Sequence, residues 1–267
     1  DGLFEYTFMV PKDIRYNYGN GRIVYYACDE EAREEGVGHF EDFIIGGSSS
    51  VEIIDTLGPE INLYLNNPAF VDGSQTYEYP HFYANIYDEN GINTVGTGIG
   101  HDLLLIVDED PKMTYVLNDY FIAQNNSYQQ GLVSYKMPEM EEGQHSLTFR
   151  AWDLINNSNT EMLNFQVVKG LDPNIYQVVT YPNPVASTET LNIRIEFDQP
   201  DEVIQTTIYL YDLSGRLVKE HQQKGTTGIQ WNLSEMNVQP GIYVYNVKIK
   251  SSTSNYVSKA GKIIVCE

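Results

Sequence analysis

His145-Ser-Leu-Thr-Phe-Arg-Ala-Trp152 decides the fold class. Leu147, Phe149 and Ala151 alternate with Thr148, Arg150 and Trp152, the period of two expected of a strand with one buried face. The same kind of run recurs on both sides of it. Residues 61–65, 81–87, 102–107, 113–117, 132–137 and 162–168 read as further strands, giving about seven between 55 and 169. Asp88-Glu-Asn-Gly91 and Asn156-Asn-Ser158 supply turn chemistry between them. Short strands at this spacing predict an antiparallel β-sandwich of immunoglobulin type, without the Cys…Trp…Cys signature of antibody domains.

Working outward, residues 1–54 read as a partial β-domain, the end of a domain begun upstream. Phe4, Tyr6, Phe8 and Val10 alternate with Glu5, Thr7 and Met9, and Pro11 ends that strand. Residues 22–27 and 40–45 read as two more strands, with 29–35 as an acidic loop or single helical turn. Three strands do not make a stable sandwich by themselves. Beyond a linker at Leu171-Asp-Pro-Asn174, residues 170–267 read as a second sandwich. There Leu191, Ile193, Ile195 and Phe197 alternate with polar neighbours, and Asp212-Leu-Ser-Gly215 is a tight turn. Pro240-Gly241 launches a strand in which Tyr243, Tyr245, Val247 and Ile249 share a face. The fold class expected is all-β, as tandem immunoglobulin-like antiparallel β-sandwiches.

The chain has 267 residues, 16 basic and 37 acidic, for a net charge of −21. Residues 1–57 hold 4 basic and 12 acidic, 58–169 hold 4 and 15, and 170–267 hold 8 and 10. Such acidity speaks against nucleic acid as a partner, because phosphates need Lys and Arg, and against docking on anionic lipid. No apolar run approaches the roughly 18 residues of a membrane-spanning helix, so no transmembrane segment is expected. The start at Asp1-Gly2, with neither Met nor a signal-like leader, reads as a fragment of a longer, processed protein. Cys28 and Cys266 have no Cys-x-x-Cys partners and read as two unrelated free thiols rather than a zinc site or a disulfide.

Candidate chemistry is sparse. His101-Asp102 invites a catalytic reading, but neighbours on a strand point to opposite faces and cannot readily serve one substrate atom. The acids Asp108 to Asp110 lack the setting of a glycosidase pair, and no P-loop or HExxH motif is present. No cofactor is expected; the oxygen-rich loops at 88–91 and 153–157 are the only candidates for Ca²⁺, and they lack EF-hand spacing. Asp55-Thr56-Leu57 resembles the short O-glycosylation acceptor of Bacteroidetes surface proteins. Many Tyr leave a carbohydrate- or lipopolysaccharide-binding surface as the alternative function.

Four blocks carry a family resemblance: Tyr181-Pro182-Asn183-Pro184-Val185, the run 208–218 with Asp212 and Gly215, Gly241-Ile-Tyr243-Val-Tyr245, and Lys262-Ile-Ile-Val265. In that order they resemble the C-terminal sorting domain of type IX secretion, which directs proteins through the outer membrane of Bacteroidetes. Upstream, the run 8–14 with Pro11, Lys12 and Asp13, the run 96–102 with Gly98, Gly100, His101 and Asp102, the run 117–120, and the run 145–153 with Trp152 and Asp153 resemble the gingipain-like (peptidase C25) sortase of the same system. The resemblance implies a parent cysteine peptidase that cleaves sorting domains and links cargo to anionic lipopolysaccharide, with catalytic Cys and His upstream of Asp1. It implies a non-catalytic role for this chain: export signal and docking region at the extracellular face of the outer membrane. The implied partners are an outer-membrane β-barrel, other attachment-complex proteins and the upstream peptidase domain. An exposed strand edge or an aromatic face at Tyr243 and Tyr245 is the candidate contact for the barrel, and ordinary core packing is the favoured reading of the two rings.

Overall fold

The computed structural model describes residues 5, 7–12, 17–29, 33–47, 54–95, 100–171, 175–197, 199, 204–225, 228–233, 238–250 and 255–267. The chain is all-β, and each sheet draws on one of three stretches. Its contacts gather into two compact units, one of residues 1–63, 84–134 and 147–162, the other of 64–83, 135–146 and 163–267. The boundaries between them fall within strands of the middle stretch; we propose domain divisions at 54/55 and 169/170.

In the first stretch, β1 (Gly19–Asn20) pairs with β4 (Ile44–Ile45), and β2 (Ile23–Asp29) pairs with β3 (Glu34–Phe40), both antiparallel. Two sequence expectations change here. The described residues of the 4–10 run lie in no strand. The alternation is present, but a strand also needs a ladder neighbour; the backbone bond that anchors this end runs from Lys12 N–H to the Leu154 carbonyl, 2.8 Å away. The third strand is also displaced: 34–40 is a strand, and 41–43 is not. Glu34-Glu-Gly-Val-Gly-His-Phe40 has no apolar period because both its faces are open to solvent. Gly36 and Gly38 stand opposite Ala27 and Tyr25 in the ladder.

The middle stretch forms two sheets. Its strands are β5 (Glu60–Leu65), β6 (Gln75–Thr76), β7 (His81–Tyr87), β8 (Leu104–Val107), β9 (Thr114–Val116), β10 (Phe121–Ala123), β11 (Gln130–Lys136), β12 (Gly143–Trp152) and β13 (Ser158–Val167). One sheet runs β10-β11-β7-β5, the other β6-β13-β12-β8-β9. The seven sequence-derived strands are present, 81–87 with its ends unchanged and the others with ends shifted by at most four residues. The additions, β6 and β10, are two and three residues long, too short to show a period. Leu147, Phe149 and Ala151 are fully buried while Thr148, Arg150 and Trp152 keep some exposure, as the alternation requires. Phe82, Ala84 and Ile86 on β7 do the same.

The last stretch holds β14 (Ile175–Tyr181), β15 (Val185–Ala186), β16 (Thr190–Phe197), β17 (Ile204–Tyr211), β18 (Leu217–Gly225), β19 (Gly228–Asn232), β20 (Gly241–Lys250), β21 (Asn255–Val257) and β22 (Gly261–Cys266). A three-stranded sheet β14-β16-β19 and a sheet β15-β22-β20-β17-β18, with β21 added to β20, enclose one apolar cluster. Leu191, Ile193, Ile195 and Phe197 enter it from β16, and Tyr243, Tyr245, Val247 and Ile249 from β20. Cys28 and Cys266 are both free and exposed.

Candidate functional site

Three of the four sorting-type blocks meet at one end of the last sandwich. Asn183 sits in an exposed loop between β14 and β15, and both Tyr181-Pro182 and Asn183-Pro184 are cis. Its side chain works as a backbone mimic on β22. The amide Nδ2 donates to the Lys262 carbonyl at 2.8 Å, and Oδ1 accepts from the Ile264 N–H at 3.0 Å. Such a two-way amide pairing fixes the loop against the strand and satisfies groups that an open edge would leave unpaired. Right after the loop, Val185 and Ala186 pair in parallel with Val265 and Cys266. Asn192 Nδ2 donates to the Tyr181 carbonyl at 3.3 Å.

Beside that loop lies the tyrosine pair of β20. Burial pushes the Tyr245 phenol up in pKa, and the Thr180 side chain hydrogen-bonds it with the opposite effect. A Cβ on Gly261 would lie 2.4 Å from the Tyr245 ring, so this position takes only glycine while the ring stays where it is. The Tyr243 hydroxyl donates to the Gln239 carbonyl at 2.7 Å. With 8% and 5% exposure, Tyr243 and Tyr245 are core residues and offer no aromatic face to a partner. Of the two readings of these rings, core packing holds and the aromatic contact face does not. The alternation of β20 puts both rings on the side that the sandwich buries. Exposed in this centre are the loop residues Tyr181, Pro182, Asn183 and Pro184, together with Gly241, Ile242 and Lys262.

Asp212 and Gly215 form the turn between β17 and β18. The Asp212 carboxylate accepts from the Ser214 hydroxyl, the Ser214 and Arg216 N–H groups and the Arg216 guanidinium. The Ser214 hydroxyl leads these donors in holding the carboxyl down at about pKa 2.

The upstream fingerprint residues are also drawn together in part. The His101 ring lies 4.2 Å from the Trp152 ring, and the Arg150 guanidinium carbon sits 5.6 Å from the Trp152 centroid. Lys12 bonds Leu154, next to Asp153. Gly100 is in the left-handed region, with φ +86°. Asp13 and Gly98 lie outside the described residues. Asp102 follows His101 on the half-buried approach to β8. Arg150 was missed by sequence reading; the only signal was an isolated cation in a strongly acidic stretch.

The two oxygen-rich loops converge. Asp153, fully buried, accepts from the Ile155 and Asn157 N–H groups on Oδ1 and from the Asn157 amide on Oδ2. Asp88 accepts from the Asn90 N–H at 2.7 Å. Asn90 reaches Asp55 through its amide, and Asn157 donates to the Asp55 carbonyl. Burial, and then the charges of Asp153 and Asp55, push Asp88 up to about pKa 6 against the Asn90 N–H, which lowers it. Asp55 is thereby tied down, and Thr56 beside it is exposed. Among the described residues, no three His, Cys, Asp or Glu are grouped to hold a metal ion.

Comparison with known proteins agrees with the first of these sites. Residues 179–265 match the family described as secretion system C-terminal sorting domain. Dimeric latent PorU from Porphyromonas gingivalis is similar at 32% identity over 97% of this chain, with a TM-score of 0.48. The chain spans about a quarter of PorU's length, 25%. The Ig1-2 module of the Drosophila receptor protein tyrosine phosphatase DLAR matches at 12% identity over 78% of this chain and 99% of its own, with a TM-score of 0.30. At that level the sandwich assignment stands on the sheets themselves. A search of curated proteins gave no match. The chain carries a secretion system C-terminal sorting domain over residues 179–265, and along nearly its whole length it is similar to a quarter of PorU.

Proposed function

We propose that this chain is the non-catalytic C-terminal region of a type IX secretion sortase, with residues 170–267 acting as its export signal and its docking module. The observation that carries this reading is the Asn183 clamp. A sorting-type Tyr181-Pro-Asn-Pro184 loop stands exposed at the end of a buried sandwich and is held rigid on β22. A rigid exposed loop can be read by a partner at little ordering cost. The Tyr181 ring and the two prolines offer apolar contact, and Asn183 keeps them in place.

In this reading the middle stretch supports an upstream peptidase domain, which supplies the catalytic Cys and His. The whole protein cleaves sorting domains and transfers cargo to anionic lipopolysaccharide at the extracellular face of the outer membrane. The partner of the Tyr181 loop is an outer-membrane β-barrel, and other attachment-complex proteins assemble around it. The reading requires no cofactor.

The test is binding of the full chain to the purified barrel in detergent. Tyr181→Ala removes the exposed ring and should weaken binding at least about tenfold, the scale of an interface hot spot. Asn183→Ala should weaken it less, through loss of loop order. Equal binding by wild type and Tyr181→Ala would remove the loop from the interface, and no binding by the wild type would sink the docking role.

A further inference from the structure

We propose that the outward face of the sheet β22-β20-β17-β18 is a binding surface for an acidic polysaccharide. The ladder register fixes which residues share that face. Lys224 on β18, Gln205 on β17 and Lys250 on β20 stand in one row across three strands. Gln222, Thr207 and Lys248 form the next row, and Glu220, Tyr209 and Asn246 the third. The residues between them along β17 and β20, Thr206, Ile208, Val247 and Ile249, are buried. The rows therefore lie on the opposite, outward side of the sheet. Lys262 joins that side from β22, opposite Val244.

Charge separates this face from the rest of the chain. The chain as a whole holds 16 basic and 37 acidic side chains. On this face the exposed Lys224, Lys248, Lys250 and Lys262 meet one acid, Glu220. Among the described residues none of these lysines forms an ion pair. Salt limits the reach of each charge to about 8 Å at physiological ionic strength. A ligand seated on the face thus feels its lysines more than the net charge of the chain.

The side chains among the cations select the kind of anion. Gln205, Gln222 and Asn246 carry amides that both donate and accept, as sugar hydroxyls do. Standard strand spacings put the Cα atoms of Lys224, Lys248 and Lys250 roughly 7–12 Å apart. That spread suits negative groups borne along a hydroxyl-rich chain, which engages several lysines at once. A protein partner fits less well, because lysine is depleted where protein interfaces are closed. Single-stranded nucleic acid stacks its bases on open rings, and Tyr209 is half-buried. The assignment is separate from the docking role of the Tyr181 loop, and each can fail without the other.

The test is binding of the full chain to labelled alginate and polygalacturonate oligomers, read by fluorescence anisotropy at constant ionic strength. At least one of the two should bind saturably, and neutral dextran of the same length should be at least about tenfold weaker. The double variant Lys248→Gln/Lys250→Gln should lose at least about tenfold in affinity, and Lys224→Gln on the neighbouring strand should lose less. Lys112→Gln/Lys169→Gln removes the same charge from the middle stretch and should leave affinity unchanged. Urea midpoints check that the variants are folded; if the double variant is not, Lys224→Gln decides. Binding of neither oligomer, or no loss in the folded face variants, would overturn the surface. Dextran binding equally well would overturn the role of charge. Polyglutamate, single-stranded DNA or phosphatidylglycerol vesicles binding more tightly than both oligomers would overturn the polysaccharide assignment.

Discussion

Two turns in this chain share the pattern Asp-x-x-Gly and differ in what surrounds them. In Asp88-Glu-Asn-Gly91 and in Asp212-Leu-Ser-Gly215 the glycine has positive φ, 99° and 84°, and its N–H bonds the carbonyl of the aspartate. Each aspartate also accepts from the backbone N–H two residues on. Yet burial and two neighbouring acids push Asp88 up to about 6, while Ser214 and Arg216 hold Asp212 down at about 2. The local motif sets the turn, and tertiary context sets the charge. The middle stretch packs acids against each other, whereas the sorting domain keeps its turn self-contained on an exposed edge.

The two turns should differ most when their glycines are substituted. A Cβ at Gly91 would come 2.5 Å from the Tyr128 ring and 2.8 Å from Leu154, whereas at Gly215 nothing lies within 4 Å. Gly91→Ala combines unfavourable φ with overpacking, for a loss of roughly 2–4 kcal/mol. Gly215→Ala should cost only about 1 kcal/mol. Urea midpoints measure both. Equal losses would mean that surroundings do not distinguish the turns.

The next effect is in pH. Asp88 holds its proton up to about 6 in the folded chain, against 3.8 as its ordinary value. The folded state therefore binds more protons between those values, and stability falls as pH rises through that window. Asp88→Asn keeps the acceptor for Asn90 and removes the titration. At pH 7 it should stabilise the chain by about 1–2 kcal/mol, less than the roughly 3 implied by the full shift because solvent screens part of it. At pH 3.5 the gain should vanish. A variant no more stable than wild type at pH 7 would contradict the burial of this acid.

The smallest effect belongs to Asp212. Its depressed value makes the opposite sign: stability is present above 3.8 and is lost as pH falls through about 2. Asp212→Ala removes the acceptor at every pH, so above 3.8 the Ser214 and Arg216 amides should exchange faster than in the wild type, and the difference should close as pH falls through about 2. Unchanged exchange would show that the four donors do not stabilise the charge.

The strands of the two sandwiches were legible because burial on one face writes a period of two into the sequence, as in Leu147-Thr-Phe-Arg-Ala151. The hairpin β2–β3 was half legible. Its second strand, Glu34–Phe40, is exposed on both sides, so no period marks it; Val24, Tyr26 and Val37 are 62%, 61% and 76% exposed on one face of that hairpin. The sorting motif could be read as a motif, but its geometry could not. Nothing in Tyr181-Pro-Asn-Pro184 announces that Asn183 will pair with Lys262 and Ile264 on β22. The Tyr243 and Tyr245 side chains went inward for the same periodic reason that made their strand readable. Asp88 looked like an ordinary turn residue because Asp55 and Asp153, which raise it, are distant in sequence.

If residues 170–267 act as the export signal we propose, the chain should carry a foreign protein to the cell surface. The direct measurement is export of a reporter with the whole chain fused at its C-terminus, in a type IX-competent bacterium, scored by surface protease access. The reporter should reach the cell surface, and a reporter whose Tyr181–Pro184 loop is replaced by Gly-Ser residues should be retained. A wild-type fusion that folds but stays in the periplasm would contradict it.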